Sequence, residues 1–262
     1  MLKHKIIEIE DSDYNSPMIL VEVAGKDPRP CNDYRKLNKI TKTQFFPLQN
    51  VEQRVETVAA AKYKSVLDLT KGYWQIPLPP DAQRIATFIT SFGTFRPLRM
   101  PFGLKNAPFT FSKMMVDIFN GCDHFAVLHS DDVAIYSNSW EEHLSHLNAV
   151  MSKIKHAGLT IKPIKCKFAQ DRVKYLGHIV ARGIRTPNEV KVKAVLDFPV
   201  QTTKSQVRAF LGLAGYYNHY IPMFSSIVAP LIGTLKGKLR QGKINCTEEC
   251  TRAFKELKDK LS

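Results

Sequence analysis

The sequence predicts an α+β fold: a body of antiparallel sheet with covering helices, followed by an all-helical segment. Three observations predict it. Short apolar stretches of strand length, separated by polar or glycine-containing turns, fill the middle of the chain. Amphipathic stretches of helical period alternate with them, and after Pro187 the chain turns helical. With 262 residues, 44% of them hydrophobic, the chain is long enough to bury a substantial core and to carry a smaller second piece.

The elements follow in order. Gly25 to Pro30, Gly-Lys-Asp-Pro-Arg-Pro, reads as a loop or hairpin turn that breaks regular structure. Leu48 to Lys62 lacks Gly and Pro and closes on three alanines, which favours a helix. Tyr63 to Leu69 reads as a buried strand, with Asp68 near its end. Ala86–Thr90 and Thr94–Leu98 flank Ser91-Phe92-Gly93 as a hairpin. A helix opens at Lys105-Asn106-Ala107-Pro108, where Pro108 suits the first turn, and stops at Gly121. Phe125–Leu128 and Val133–Tyr136 are short strands around the polar tetrapeptide His129-Ser130-Asp131-Asp132. An amphipathic helix runs from Ser139, with Leu144, Leu147, Met151 and Ile154 on one face and Gly158 as cap. Val173–Val180 reads as one strand. Helices are expected over Glu189–Asp197, over Thr203–Tyr217 behind a cap at Thr202, and over Thr247–Leu261.

Lys and Arg number 38 against 24 Asp and Glu, a net charge of +14, which favours a polyanionic partner. The excess is local. From Lys153 to Lys193 there are eleven basic residues and two acidic ones, Asp171 and Glu189. Solvated faces mix both signs, so this stretch reads as a polyanion-facing surface. No apolar run approaches the roughly 20 residues that span a bilayer, so no membrane partner is expected. The five cysteines form no zinc-ligand pattern and read as free thiols, and His143 and His146 read as surface residues on their helix.

Two adjacent carboxylates at the tip of an apolar hairpin repel one another, and a divalent cation relieves them. Magnesium prefers hard oxygen ligands and binds through one or two carboxylates together with substrate phosphates. A solvated turn would explain Asp131-Asp132 taken alone. The basic chain, and Asp68 at the end of a separate apolar strand, favour the metal reading.

The surrounding blocks carry a resemblance. Asn32-Asp33-Tyr34-Arg35-Lys36-Leu37-Asn38, Leu67 to Leu78 (Leu-Asp-Leu-Thr-Lys-Gly-Tyr-Trp-Gln-Ile-Pro-Leu), Met100 to Pro108, Tyr175-Leu176-Gly177-His178-Ile179-Val180 and Phe210 to Tyr217 occur in one order. In that order and spacing they resemble the reverse transcriptases of gypsy-type long-terminal-repeat retrotransposons. The resemblance implies a right-hand polymerase with an antiparallel palm sheet, fingers and palm over 1–182 and a helical thumb or connection over 183–262. It implies an RNA-directed DNA polymerase whose partners are an RNA or DNA primer–template and deoxynucleoside triphosphates. By motif match Asp68, Asp131 and Asp132 are catalytic and hold two Mg2+ (or Mn2+) ions. Arg29 grips the triphosphate, Tyr73 excludes a ribose 2′-hydroxyl, and Phe102 and Gly103 floor the nucleotide pocket. Leu176, Gly177 and His178 hold the primer end. The last residues resemble the approach to an RNase H domain absent from this sequence, and a cytoplasmic particle is the family's expected location.

The match departs in three places. The acidic turn, Tyr-x-Asp-Asp in the family, is His129-Ser130-Asp131-Asp132. The lysine-rich fingers turn is replaced by Glu22, Val23 and Ala24, and Pro30 and Asn32 are atypical beside Arg29 and Asp33. These changes point to impaired polymerisation, the alternative being an inactive nucleic-acid-binding remnant. Gly212 and Gly215 form no phosphate loop and are expected to permit close helix packing.

Overall fold

The structure is a computed structural model. It describes residues 1–23, 26–45, 47, 50–187, 189–237, 242–244 and 246–261, with backbone alone for 23, 26–29 and 189–191. The chain divides into two compact units, Met1–Val173 and Lys174–Ser262.

Among the described residues, the first unit holds two sheets. Its elements are β1 (Ile7–Ile9), β2 (Ser16–Val23), β3 (Lys26–Asn32), α1 (Arg35–Ile40), α2 (Val51–Ala60), β4 (Tyr63–Asp68), α3 (Pro80–Ile85), β5 (Phe88–Thr90), β6 (Gly93–Pro97), α4 (Ala107–Ile118), β7 (Ala126–His129), β8 (Asp132–Ser137), α5 (Trp140–His156) and β9 (Lys167–Gln170). One sheet has the order β1-β6-β5-β2-β3 and is antiparallel except where β2 runs parallel to β5. The other, β7-β8-β4-β9, is wholly antiparallel.

Several sequence expectations are corrected here. Lys26 to Pro30 is strand, not loop. Among the described residues β3 is the edge of its sheet, the strand position at which proline is tolerated. Gly25 itself lies outside the described residues, as does Leu48, and α2 starts at Val51 because the Asn50 side chain accepts from Glu52 N. On α5, a capping box joins Ser139 and Glu142. The face that packs on β8 and β4 carries His143, Val150 and Ile154, whereas Leu144 and Met151 are exposed.

His143 is therefore not a surface residue. It is fully buried, its Nε2 is 2.8 Å from Ser65 Oγ and its Nδ1 is 2.9 Å from Ser137 Oγ. Ser137 Oγ also meets His146 Nδ1 at 2.8 Å, and the His146 ring stacks on Phe125 at 4.0 Å. Two strand serines thus supply the partners that let a polar helix face lie on a sheet. Lys64 is likewise buried, its Nζ donating to Ala61 O and Asp171 O at 2.6 and 3.2 Å.

The apolar core of this unit gathers Leu67, Leu69, Phe111, Met115, Phe119, Val133 and Ile135 between the four-stranded sheet and its helices. It backs the strand ends that carry the aspartates.

A three-stranded sheet, β10 (Val173–Tyr175), β11 (His178–Ala181) and β12 (Ile184–Pro187), begins at the boundary between the units. The single strand expected over Val173–Val180 is thus two, parted by left-handed Leu176 and Gly177 at φ 46° and 75°. Helices α6 (Glu189–Leu196), α7 (Lys204–Gly215), α8 (Phe224–Gly233) and α9 (Glu248–Leu261) follow. Thr203 rather than Thr202 is the N-cap of α7, in a capping box with Gln206. The second core comprises Val195, Val207, Phe210, Tyr217, Leu231, Phe254 and Leu257 among others. Gly212 does not serve close packing among the described residues: an added Cβ there meets none of their atoms within 4 Å, and at Gly215 it meets Phe224 Cζ at 3.9 Å.

Candidate active site

Register brings the acidic residues together. In β7–β8, His129 faces Asp132, so the hairpin loop is only Ser130-Asp131, with Ser130 at φ 48°. In β4–β8, Asp68 faces Asp132 directly, which puts both carboxylates on one face of the sheet. Leu69 N donates to Asp131 O at 2.9 Å and ties the hairpin tip to the end of β4.

The electrostatics follow from that crowding. Burial first, then Asp68 and Asp131, push the Asp132 carboxyl up to about 6, and Lys165 only partly opposes them. Burial and Asp68 raise Asp131 as well. Lys165 Nζ lies 2.7 Å from Asp68 Oδ2, and the contact raises the lysine in turn. Lys162 N donates to Asp68 O at 2.8 Å and fixes the segment that carries Lys165. Among the described residues no three acidic, histidine or cysteine side chains are drawn tightly enough to ligate one ion as they stand. The donor set nevertheless suits a divalent cation: hard oxygens, mutually repelling, with the Asp131 and Asp132 carboxyls raised first by burial and then by neighbouring carboxylates.

Tyr73 stands beside this group. It belongs to a 3-10 turn, Gly72–Gln75, that follows Lys71 at φ 48°. Its ring packs against Phe102 at 5.1 Å and edge-on to Phe111 at 5.4 Å. Burial raises its hydroxyl's pKa, and Asp131 raises it further. Gln75 locks the turn, its Nε2 donating to Thr70 O at 2.7 Å while its Oε1 accepts from Thr160 N at 2.7 Å.

Phe102 is partly exposed. Gly103 has φ 98° and Asn32 O 3.2 Å from where a Cβ would sit, so glycine is required on two counts. Asn38 Nδ2 holds the Gly103 carbonyl at 2.8 Å. Arg29 lies on β3 opposite Val21, and its side chain is outside the described residues. So is the fingers turn at Ala24, while Glu22 is exposed on β2. Leu176, Gly177 and His178 lie in the second unit, where tyrosines surround them.

Sequence reasoning missed four residues. Gly72 is one: a Cβ there would be 2.7 Å from Asp131 Oδ1 and 2.8 Å from two Phe111 ring atoms. Lys165 is another, hidden in the sequence among many lysines. Phe111, from α4, completes the wall behind Tyr73. Arg54, 6% exposed on α2, sets its Nη1 3.1 Å from His129 Nδ1 and donates also to Leu128 O. A guanidinium only donates, so His129 Nδ1 accepts and the ring proton sits on Nε2. Burial and Arg54 both hold the His129 pKa below its ordinary value, which leaves the ring uncharged beside the carboxylates. Of the basic residues from Lys153 onward, Lys165 serves Asp68, and Lys153 donates to Ile118 O at the end of α4 and to Asn120 O just beyond it.

Comparison with known proteins agrees with this geometry. Residues 23–180 match the family model for reverse transcriptase (RNA-dependent DNA polymerase). The chain is 36% identical over 265 residues to the retrovirus-related Pol polyprotein from transposon 297 of Drosophila melanogaster, covering 98% of this chain and 25% of that one. The corresponding polyprotein from transposon gypsy of the same fly is 32% identical, over 91% of this chain and 24% of its own length. The chain thus spans about a quarter of the curated relatives it matches. Among solved structures, a foamy viral protease-reverse transcriptase in complex with double-stranded DNA superposes with a TM-score of 0.91 at 25% identity, over 99% of this chain and 46% of that one. Its complex with an RNA/DNA hybrid gives 0.86 at 25% identity, over 99% and 35%.

Proposed function

The chain belongs to the reverse transcriptase (RNA-dependent DNA polymerase) family, and from that premise we propose that it extends a primer 3′-hydroxyl with deoxynucleotides on an RNA or DNA template. The observation that carries the reading is the direct pairing of Asp68 with Asp132, with Asp131 at the adjoining tip. Asp68, Asp131 and Asp132 would hold two Mg2+ (or Mn2+) ions. When bound, such ions lower the pKa of the attacking hydroxyl and neutralise the departing pyrophosphate.

The protein's own groups do the rest. Tyr73, backed by Phe102 and Phe111, presents a rigid ring where a 2′-hydroxyl would clash. Phe102 and Gly103 form the floor under the base and sugar, and Arg29 meets the triphosphate, for which a guanidinium is well shaped. Lys165 holds the Asp68 carboxylate through its 2.7 Å ion pair. Residues 1–182 act as fingers and palm, residues 183–262 as thumb and connection. The grip on the primer falls to Leu176, Gly177 and His178. Double-stranded DNA and an RNA/DNA hybrid, bound by the foamy viral enzymes, are the partners this reading supplies.

Catalysis is favoured over the inactive binding remnant by the register that sets Asp68 against Asp132 with Asp131 at the adjoining tip, an arrangement that nucleic-acid binding alone does not require. Primer extension on an RNA template with magnesium, then manganese, tests the proposal, with Asp131→Asn as control. Extension lost in the control supports it. Bound primer–template without extension in either metal selects the remnant. Ribonucleotides incorporated as readily as deoxynucleotides would remove Tyr73 from its role.

A further inference from the structure

The connection Leu176-Gly177 runs through two consecutive left-handed residues, φ 46° and 75°. Glycine tolerates that conformation and leucine does so only when its surroundings enforce it. Such a turn also aims its carbonyls away from the strand ladder, and each then needs another donor.

Both carbonyls find a phenol. Tyr216 Oη donates to Leu176 O, and Tyr217 Oη donates to Gly177 O at 2.8 Å. The next residue is held by the same element: His178 Nδ1 lies 2.8 Å from Tyr220 Oη. Its ring stacks on Tyr216 at 5.4 Å and meets Tyr217 edge-on at 5.6 Å. The Arg185 guanidinium, from β12, sits 5.7 Å from the Tyr220 ring centre. All three tyrosines come from the segment just past α7, ending in the 3-10 turn Asn218–Tyr220. Tyr217 is fully buried. Burial raises the pKa of Tyr216 and Tyr220, so these hydroxyls keep the proton they have to give.

We propose that Tyr216, Tyr217 and Tyr220 are positioning residues: three phenols on one helix end fix the Leu176-Gly177-His178 turn in the shape with which it meets the primer terminus. The inference rests on the primer-binding reading of that turn. None of the three needs to touch nucleic acid. Two act through backbone carbonyls and the third through the His178 ring.

Tyrosine to phenylalanine removes the hydroxyl and leaves the packing, so it separates positioning from folding. The readout is fluorescence anisotropy with the full chain, comparing a labelled duplex with a recessed 3′ end against a blunt continuous duplex. Thermal melting is measured beside it, together with the KM for primer–template and for deoxynucleotide.

The Tyr216→Phe/Tyr217→Phe double variant is expected to lose roughly 5–10-fold in preference for the recessed end, about the effect of one net hydrogen bond or slightly more. KM for primer–template should rise in step. KM for deoxynucleotide, and the melting temperature within about two degrees, should stay near wild type. Unchanged preference in the double variant overturns the inference, and so does a loss matched by collapse of the melting transition.

Gly177→Ala and His178→Gln test the underlying reading separately. If either weakens recessed-end binding while the phenylalanine variant does not, positioning by the tyrosines fails and the primer-binding turn stands. If neither variant does so, or the wild-type chain shows no preference at all, the primer-binding reading itself falls.

Discussion

Two tight turns carry the residues of greatest interest, and they solve the same problem in opposite ways. Ser130-Asp131 and Leu176-Gly177 are both two-residue connections between neighbouring strands, and each holds a non-glycine residue at positive φ. At the second turn every feature that costs energy is answered from within: both carbonyls have phenolic donors and the following histidine has a tyrosine partner. At the first turn the backbone is tied down by Leu69, but the side chains are left in conflict. Burial and neighbouring carboxylates raise two carboxyls, and Lys165 does not cancel the excess. The satisfied turn is built to hold a shape. The unsatisfied one is where the proposed cations would sit, and perturbed carboxyls of this kind gather where chemistry is done.

The comparison can be broken most sharply at the acidic turn. Asp131→Asn keeps the size and removes the charge, and it is expected to cut primer extension by at least about 10³-fold, several kcal/mol of lost charge stabilisation. Binding of primer–template should change little. Extension that survives would mean that the conflict at this turn has no catalytic purpose.

A smaller effect is expected at Gly72. Its missing Cβ is the space Asp131 Oδ1 and the Phe111 ring occupy. Gly72→Ala should lower extension by roughly 10–100-fold through displacement of the carboxylate, and should cost about 1–3 kcal/mol of stability by overpacking. Wild-type rates from this variant would show that Asp131 tolerates a shift.

Stability sharpens the contrast further. The folded Asp132 carboxyl titrates near 6 against an ordinary value of 3.8, so the folded state holds its proton longer than the unfolded chain. Stability therefore falls as pH rises from about 4 to about 6, and the full penalty is present above that. Asp132→Asn should melt higher at pH 7.5, by on the order of 1 kcal/mol after solvent screening, or ~2–4 °C. The gain should vanish below pH 4. Equal melting temperatures at pH 7.5 would refute the crowding.

His143 gives the opposite slope. Burial holds its pKa below the ordinary value, so the unfolded chain takes up the proton first and stability rises with pH until the unfolded histidine has titrated, near 6.5. His143→Gln should flatten the dependence of melting temperature on pH between 5 and 7. A slope identical to wild type would assign the acid sensitivity elsewhere. The least change is expected from Lys165→Met, below about 1 kcal/mol, because the lysine is 55% exposed.

Much of the fold was legible. The strand–turn–strand pattern around the aspartates, the helix opened by Pro108 and the start of the next helix at Ser139 were read correctly because each depends on neighbours in sequence. The misreadings share a cause. Pro28 and Pro30 are strand residues only because β3 is an edge, and His143 is core only because Ser65 and Ser137 stand opposite it. Gly72 looked like one residue in a motif until its distance to Asp131 gave it a reason.

The sequence by itself determined the family, the order of its blocks and the identity of the three carboxylates, since these are written in local spacing and residue type. Tertiary structure alone decided that Asp68 faces Asp132, that Lys165 answers Asp68, that Arg54 leaves the His129 ring neutral and that three tyrosines hold Leu176 to His178. Each of these depends on strand register or on residues dozens of positions apart. Hydrophobic pattern and turn chemistry constrain a chain over a few residues, whereas charge, hydrogen bonding and steric room act through space.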